Sequence, residues 1–263
     1  MTSRLHQRFY RTGNEHRAGA DVSFGDIIKC FGFRSIEVGK WVTKEEQQIG
    51  ANLFFDALYD LCDILQVPES VISLNGRLAL AFGKGGRKGV CAHYTPAKHE
   101  LSLAKNAGAG SLAHEWFHAF DHYIAEKMYA QTQPGQFASE LCLRGKSVIP
   151  HNLNKRLEES LHHILLAEAG ADNASLNPFI TQAVAIDQQA KTVYFALPQE
   201  ACARAFEAMI QDHPIKNTFL VQGTKQSKLA LLGAYPTGTL RTTINRALHT
   251  YFYQLGCAVR QKI

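Results

Sequence analysis

Cysteine is scarce and scattered in this chain of 263 residues. Cys30, Cys62, Cys91, Cys142, Cys202 and Cys257 are the only six, and none lies close to another. The absence of any Cys-x-x-Cys pair excludes a cysteine-ligated zinc module and a thioredoxin-like redox motif, and it argues against a disulfide framework. The expectation is reduced, mostly buried thiols in a cytoplasmic protein. Long apolar runs are also missing, which excludes a membrane-spanning helix. Residues 1–20 are polar and basic and lack the apolar segment of a secretory signal. Charge of one sign is not in large excess: 28 Lys and Arg face 23 Asp and Glu. A nucleic-acid partner therefore has little behind it beyond a basic arm and one loop. That loop, Gly83-Lys84-Gly85-Gly86-Arg87-Lys88-Gly89, has no closing Gly-Lys-Ser/Thr and no helix after it. It reads as a hairpin loop rather than a phosphate cradle. No internal repeat and no low-complexity segment is present.

What is present is enough apolar residue, 46% of the chain, to bury a core without covalent staples. Residues 1–22, with Arg4, Arg8, Arg11 and Arg17, read as a loose basic arm. Residues 23–263 read as one domain. A helix is expected over 43–65, where Thr43 and Glu46 form a capping box and Leu53, Phe54, Leu58, Leu61 and Leu65 recur at helical spacing. Strands are expected over 71–82, 90–94 and 100–104, with a tight turn at Thr95-Pro96-Ala97-Lys98 between the last two. After an irregular stretch over 131–150, helices are expected over 154–169, 176–189, 199–211 and 240–255. Short extended segments are expected over 192–198 and 219–222. The pattern is an α+β fold with a small mixed or antiparallel sheet and a helical C-terminal half.

The chemistry concentrates in Ser111-Leu112-Ala113-His114-Glu115-Trp116-Phe117-His118. Residues four apart on a helix lie on one face. His114 and His118 can therefore share one Zn²⁺, and Glu115 can reach an attacking water. Ser111 is placed to cap this helix. Trp116, Phe117, Phe120 and Tyr123 wrap it in apolar surface, as befits a buried helix. A catalytic zinc takes a third protein ligand. His122 cannot supply it, because eight residues span about 12 Å of helix and a ligand must lie about 2 Å from the ion. His-Glu-x-x-His followed by Gly and a third His does not apply either, since those places hold Asp121 and Ile124. Glu158, Glu159, Glu168, Glu200 and Glu207 are the carboxylates available from later helices. Glu158, Glu159 and Glu168 share a stretch of other polar residues, as a solvated face would. Glu200 opens an otherwise apolar helix, where a carboxylate needs a partner such as a metal; the helix dipole alone also favours an acid there.

The run from His114 to Tyr123, with Glu200-Ala201-Cys202-Ala203-Arg204-Ala205-Phe206 much later, resembles the zincin metallopeptidase-like domain associated with large polyvalent proteins of phages and conjugative elements. It also resembles the bacterial family labelled CLCA_X. Phe31-Gly32-Phe33-Arg34-Ser35-Ile36-Glu37, Ser73-Leu74-Asn75-Gly76, residues 107–113 and Ala234-Tyr235-Pro236-Thr237-Gly238 share in the resemblance, which covers about 31–256. More distantly, the two helices are similar to those of the catalytic domain of anthrax lethal factor. The resemblance implies a zincin-like fold and a zinc-dependent metallopeptidase acting on a protein or peptide. It implies His114, His118 and Glu200 as metal ligands, Glu115 as general base and Tyr194 as a catalytic tyrosine. The spacing from Tyr194 to Glu200 departs from that of the lethal factor. Arg204 stands where many glutamate zincins have a supporting aspartate, a part that Asp121 can take. In such folds an edge strand pairs with extended substrate, a place that Val90, Cys91, Ala92, His93 and Tyr94 would fill. Two other readings stay open: a catalytically inactive zinc-binding or interaction module, and a nucleic-acid-associated protein of a mobile element.

Overall fold

Central in the sheet lies Ala79-Leu80-Ala81-Phe82 (β2), a short apolar run buried along its whole length. Such a run suits a strand covered on both faces. The computed structural model describes residues 4–84, 92–104, 110–167 and 176–261. Among them, β1 (Ser35–Val38), β2 (Ala79–Phe82), β3 (Ala92–Thr95) and β4 (Glu100–Leu103) form one sheet in the order β1-β2-β4-β3. β1 and β4 run parallel to β2, and β3 closes the edge antiparallel to β4. The β3–β4 hairpin turns through Pro96–Lys98, with His99 in the left-handed region at φ 44°. The mixed sheet and the α+β class agree with the sequence expectation. The strand expected over 71–82 is shorter than its apolar run. Glu69–Ile72 (α3) is helical, and Leu74, Asn75 and Gly76 all have positive φ before β2 begins. A continuous apolar run suits a buried helix turn as well as a strand, and periodicity does not separate them.

The chain forms two compact units. The first comprises Met1–Ala119, His213–Gln222 and Gly256–Ile263, and the second Phe120–Asp212 and Gly223–Leu255. In the first, α1 (Phe24–Phe31) and α2 (Lys44–Leu65) join the sheet. The Thr43/Glu46 capping box is present at α2. Phe54 of α2 meets Phe82 of β2 ring to ring at 5.8 Å. The arm before α1 is not loose. Arg11 pairs with Asp60 through Nε at 2.6 Å and Nη2 at 2.7 Å, and Arg17 pairs with Asp56 at 3.1 Å. Asp56 and Asp60 are one turn apart on α2, so two buried acids on one face recruit two arginines. Asp60 also accepts from Asn217 at 2.8 Å and contacts His16 at 3.0 Å. The arm then forms a short antiparallel bridge, Arg11 with Asn217. The segment 219–222, expected as a strand, instead folds around the Asn217 side chain, whose Oδ1 accepts from the N–H groups of Phe219 and Leu220.

In the second unit, the later part of α4 (Leu112–Met128), α5 (Ala138–Leu143), α6 (Asn152–Leu165), α7 (Pro178–Ala190), α8 (Pro198–Asp212), α9 (Lys228–Leu231) and most of α10 (Gly238–Arg260) pack together. Phe252 of α10 meets Phe120 at 5.1 Å and Phe206 of α8 at 5.7 Å. The end of α8 is fixed by Arg241, whose Nε and Nη2 donate to Asp212 at 2.6 and 2.9 Å. Burial pushes the Asp212 carboxyl up, but the bonds from Arg241, Lys225 and Asn245 outweigh it and bring it from 3.8 to about 2. A depressed carboxylate contributes stability that is complete above its unfolded value and is lost as pH falls through the folded one. Asp212→Asn should therefore be less stable than wild type at pH 7, with the gap closing as pH falls from about 4 to about 2. Denaturant titrations across that range check it; a gap that does not depend on pH would rule this pairing out as the cause.

Candidate metal centre

α4 begins at a crowded corner. Gly110 has φ 101°, and a Cβ there would come within 2.7 Å of the Gln222 backbone nitrogen. Only glycine fits both the angle and the approach. Its N–H donates to the Phe219 carbonyl, and Ala113 N–H donates to the Leu220 carbonyl, each at 3.1 Å. Ser111 was expected to cap the helix through its hydroxyl. Among the described residues that buried hydroxyl makes no hydrogen bond. The Leu220 carbonyl has taken the Ala113 donor that a capping side chain would use. One turn in, Trp116 is buried and its indole N–H donates to the Ile72 carbonyl at 2.9 Å, locking the rotation of α4 within the first unit.

That rotation sets the two histidines. Nε2 of His114 and Nε2 of His118 lie 3.0 Å apart, with the rings 4.6 Å apart and nearly perpendicular. Ligand atoms of His114, His118 and Glu200 all lie within 4.8 Å of one another. In a tetrahedral site with bonds of about 2.0–2.1 Å, ligand atoms sit roughly 3.3 Å apart. Two imidazole nitrogens and one carboxylate oxygen at these separations suit a single small cation. Among the described residues this is the one set of three such side chains that could hold an ion. His118 is buried, while His114 and Glu200 are part-exposed, so solvent reaches the set.

The other sequence candidates fall elsewhere. His122 is buried with its ring 5.6 Å from Phe137. Glu207 is buried and hydrogen-bonded to Tyr235. Glu159 is exposed and Glu158 half-buried on α6, and Glu168 lies outside the described residues. Glu115 is half-buried on α4 beside the first histidine. Asp121 is buried, and its carboxylate accepts from the Ser139 N–H at 2.9 Å and its hydroxyl at 2.6 Å, fastening α5 to α4. β3 stands at the sheet edge with His93 exposed and Ala92 and Tyr94 half-buried. Val90 and Cys91 lie outside the described residues. Cys202, two residues after Glu200, is buried, and burial pushes its thiol well above the ordinary range.

The segment expected to be extended over 192–198 is a turn, and a residue the motif did not single out makes it. Asp187 of α7 accepts from the N–H groups of Tyr194, Phe195 and Ala196 at 2.9–3.0 Å. Burial pushes the Asp187 carboxyl up, but these three bonds and the charge of Arg204 leave it below the ordinary value. The clue was its place in the last turn of α7, where the helix dipole disfavours an acid. Arg204, marked in the sequence only as a departure from the glutamate-zincin pattern, is 3% exposed. It pairs with Glu200 at 3.3 Å and covers the rings of Tyr194 and Phe195 at 5.0 and 4.7 Å. Tyr194 itself is 42% exposed.

Residues 186–259 match the family model of large polyvalent protein-associated domain 1, LPD1. The match supports an association with large polyvalent proteins. The LPD1-like segment contains Asp187, Tyr194, Glu200, Arg204, Tyr235 and Arg241, whereas His114 and His118 precede it. No curated protein and no solved structure matches the chain. Among the described residues, no helix is long and apolar enough to cross a membrane.

Proposed function

We propose that the chain is a zinc-dependent peptidase. The observation that carries this reading is the convergence of His114, His118 and Glu200 with Glu115 adjacent on the same helix. Two imidazoles and one carboxylate are the donor set of a catalytic zinc, which leaves a position open. His114, His118 and Glu200 would hold the zinc, which would supply Lewis acidity for hydrolysis. Glu115 would take the proton of the attacking water and pass it to the leaving amine. Tyr194, standing on the Asp187-capped turn, donates its hydroxyl to the developing oxyanion. β3 is the terminal strand of the described sheet, the place where extended peptide backbone would add, with Ala92, His93 and Tyr94 along it. A nucleic-acid reading draws less from the arm, because Arg11 and Arg17 are already engaged by Asp60 and Asp56.

Protein purified without added metal should carry about one equivalent of zinc, the stoichiometry of such a site. His118→Ala should carry little, since only two donors remain. Elemental analysis of both proteins, beside a digest of an unbiased peptide library, tests the reading. Equal zinc in the two would remove the site assignment. One equivalent of zinc with no cleavage across the library would favour a non-catalytic metal-holding module.

A further inference from the structure

Glu200 and Arg204 stand one turn apart on α8, so their side chains share a face. Nη2 of Arg204 lies 3.3 Å from Oε2 of Glu200, and its Nη1 donates to the Glu200 carbonyl at 3.3 Å. The two side chains are 4% and 12% exposed. The guanidinium is also stacked against Tyr194 and Phe195. Asp187 holds the backbone N–H of each of these two residues. Phe195 further packs on the buried cluster of Ile186, Ala234 and Tyr235. All of these residues belong to the LPD1-like segment.

A carboxylate has two oxygens, and Arg204 engages Oε2. We infer that Arg204 is a positioning residue: by holding Oε2 it sets the orientation of the Glu200 carboxylate toward the ion, and it steadies the Tyr194 turn with the same guanidinium. The inference rests on the metal-centre reading above. Two consequences of removing Arg204 oppose each other. A cation near the ion is lost, which favours metal; the carboxylate is also released to rotate or to ligate through both oxygens. The second effect dominates, because the arginine's charge is already met by Glu200 and by two aromatic faces. Hydrogen-bond partners of metal ligands are worth about 10–100-fold in metal affinity.

The test uses the full chain as wild type, Arg204→Lys and Arg204→Met. Zinc affinity is measured by competition with a chromophoric chelator, and the visible bands of the Co²⁺-loaded proteins are recorded. Circular dichroism and thermal melting establish that each variant is folded. Arg204→Met should bind zinc about 10–100-fold more weakly, and its cobalt bands should lose intensity as the coordination number rises. Arg204→Lys keeps the charge and one donor, and should recover part of both. Should Arg204→Met not fold, Arg204→Lys alone decides, with a weaker affinity and an altered spectrum expected. A folded variant with wild-type affinity and spectrum would overturn the assignment of Arg204 while leaving the metal centre standing. Tighter zinc in Arg204→Met would also overturn it, since the arginine would then only repel the ion. If wild type takes up neither metal, the metal-centre reading fails and this one with it.

Discussion

Glu115→Gln should keep its metal and its fold and, if the chain is the peptidase proposed, should lose peptide hydrolysis by about a hundredfold or more, the scale of a general-base loss. The reason lies in the division of labour along α4. The metal is assigned to His114 and His118, whose Nε2 atoms converge, and to Glu200. Glu115 is not among the three, so replacing its carboxylate by an amide of the same size leaves the donor set intact. What is lost, on the proposed mechanism, is the carboxylate beside His114 that would accept a proton from water. Glu200→Gln should behave differently, because a charged ligand is removed and zinc itself is held less tightly. Zinc content, melting temperature and turnover on a substrate from the peptide library are measured on both variants. Wild-type turnover in Glu115→Gln would end the proposed mechanism, whereas zinc loss in Glu115→Gln would mean that the glutamate is a ligand.

Asp60→Ala should cost about 3–5 kcal/mol of stability, the range for removing one partner of a buried ion pair. Asp60 is completely buried and receives donors from Arg11, Asn217 and His16. Alanine would leave the Arg11 guanidinium and the buried Asn217 amide without their acceptor. The loss should also reach α4. Asn217 shapes the turn whose Phe219 and Leu220 carbonyls receive the N–H groups of Gly110 and Ala113, at the start of α4. Weaker zinc binding should therefore accompany the fall in denaturant midpoint. Limited proteolysis adds a local readout: the arm should become cleavable at Arg8, Arg11 and Arg17. A shift in stability below about 1 kcal/mol, within the range of ordinary surface changes, would show that the arm is incidental to the fold.

The sequence by itself determined the features that depend on neighbours a turn or two apart. The Thr43/Glu46 cap, the length of α2, the histidine pair on α4 and the edge hairpin with its Pro96 turn all rest on local spacing, and local spacing is legible. It also narrowed the candidates for a third ligand to a handful of carboxylates, among which the resemblance pointed to Glu200. The tertiary structure brought Glu200 to the histidines 82 residues upstream of it at the closest, because no periodicity encodes a contact at that separation. It also decided what the polar residues were for. Arg11 and Arg17 read as a solvated tail until Asp60 and Asp56 were seen beneath them, since an arginine's role depends on a partner far along the chain. Ser111 lost its expected cap to a carbonyl from residue 220. Asp187 and Arg204 gained their roles the same way: a buried charge takes whatever partner the packing brings within reach, and packing is a property of the whole chain.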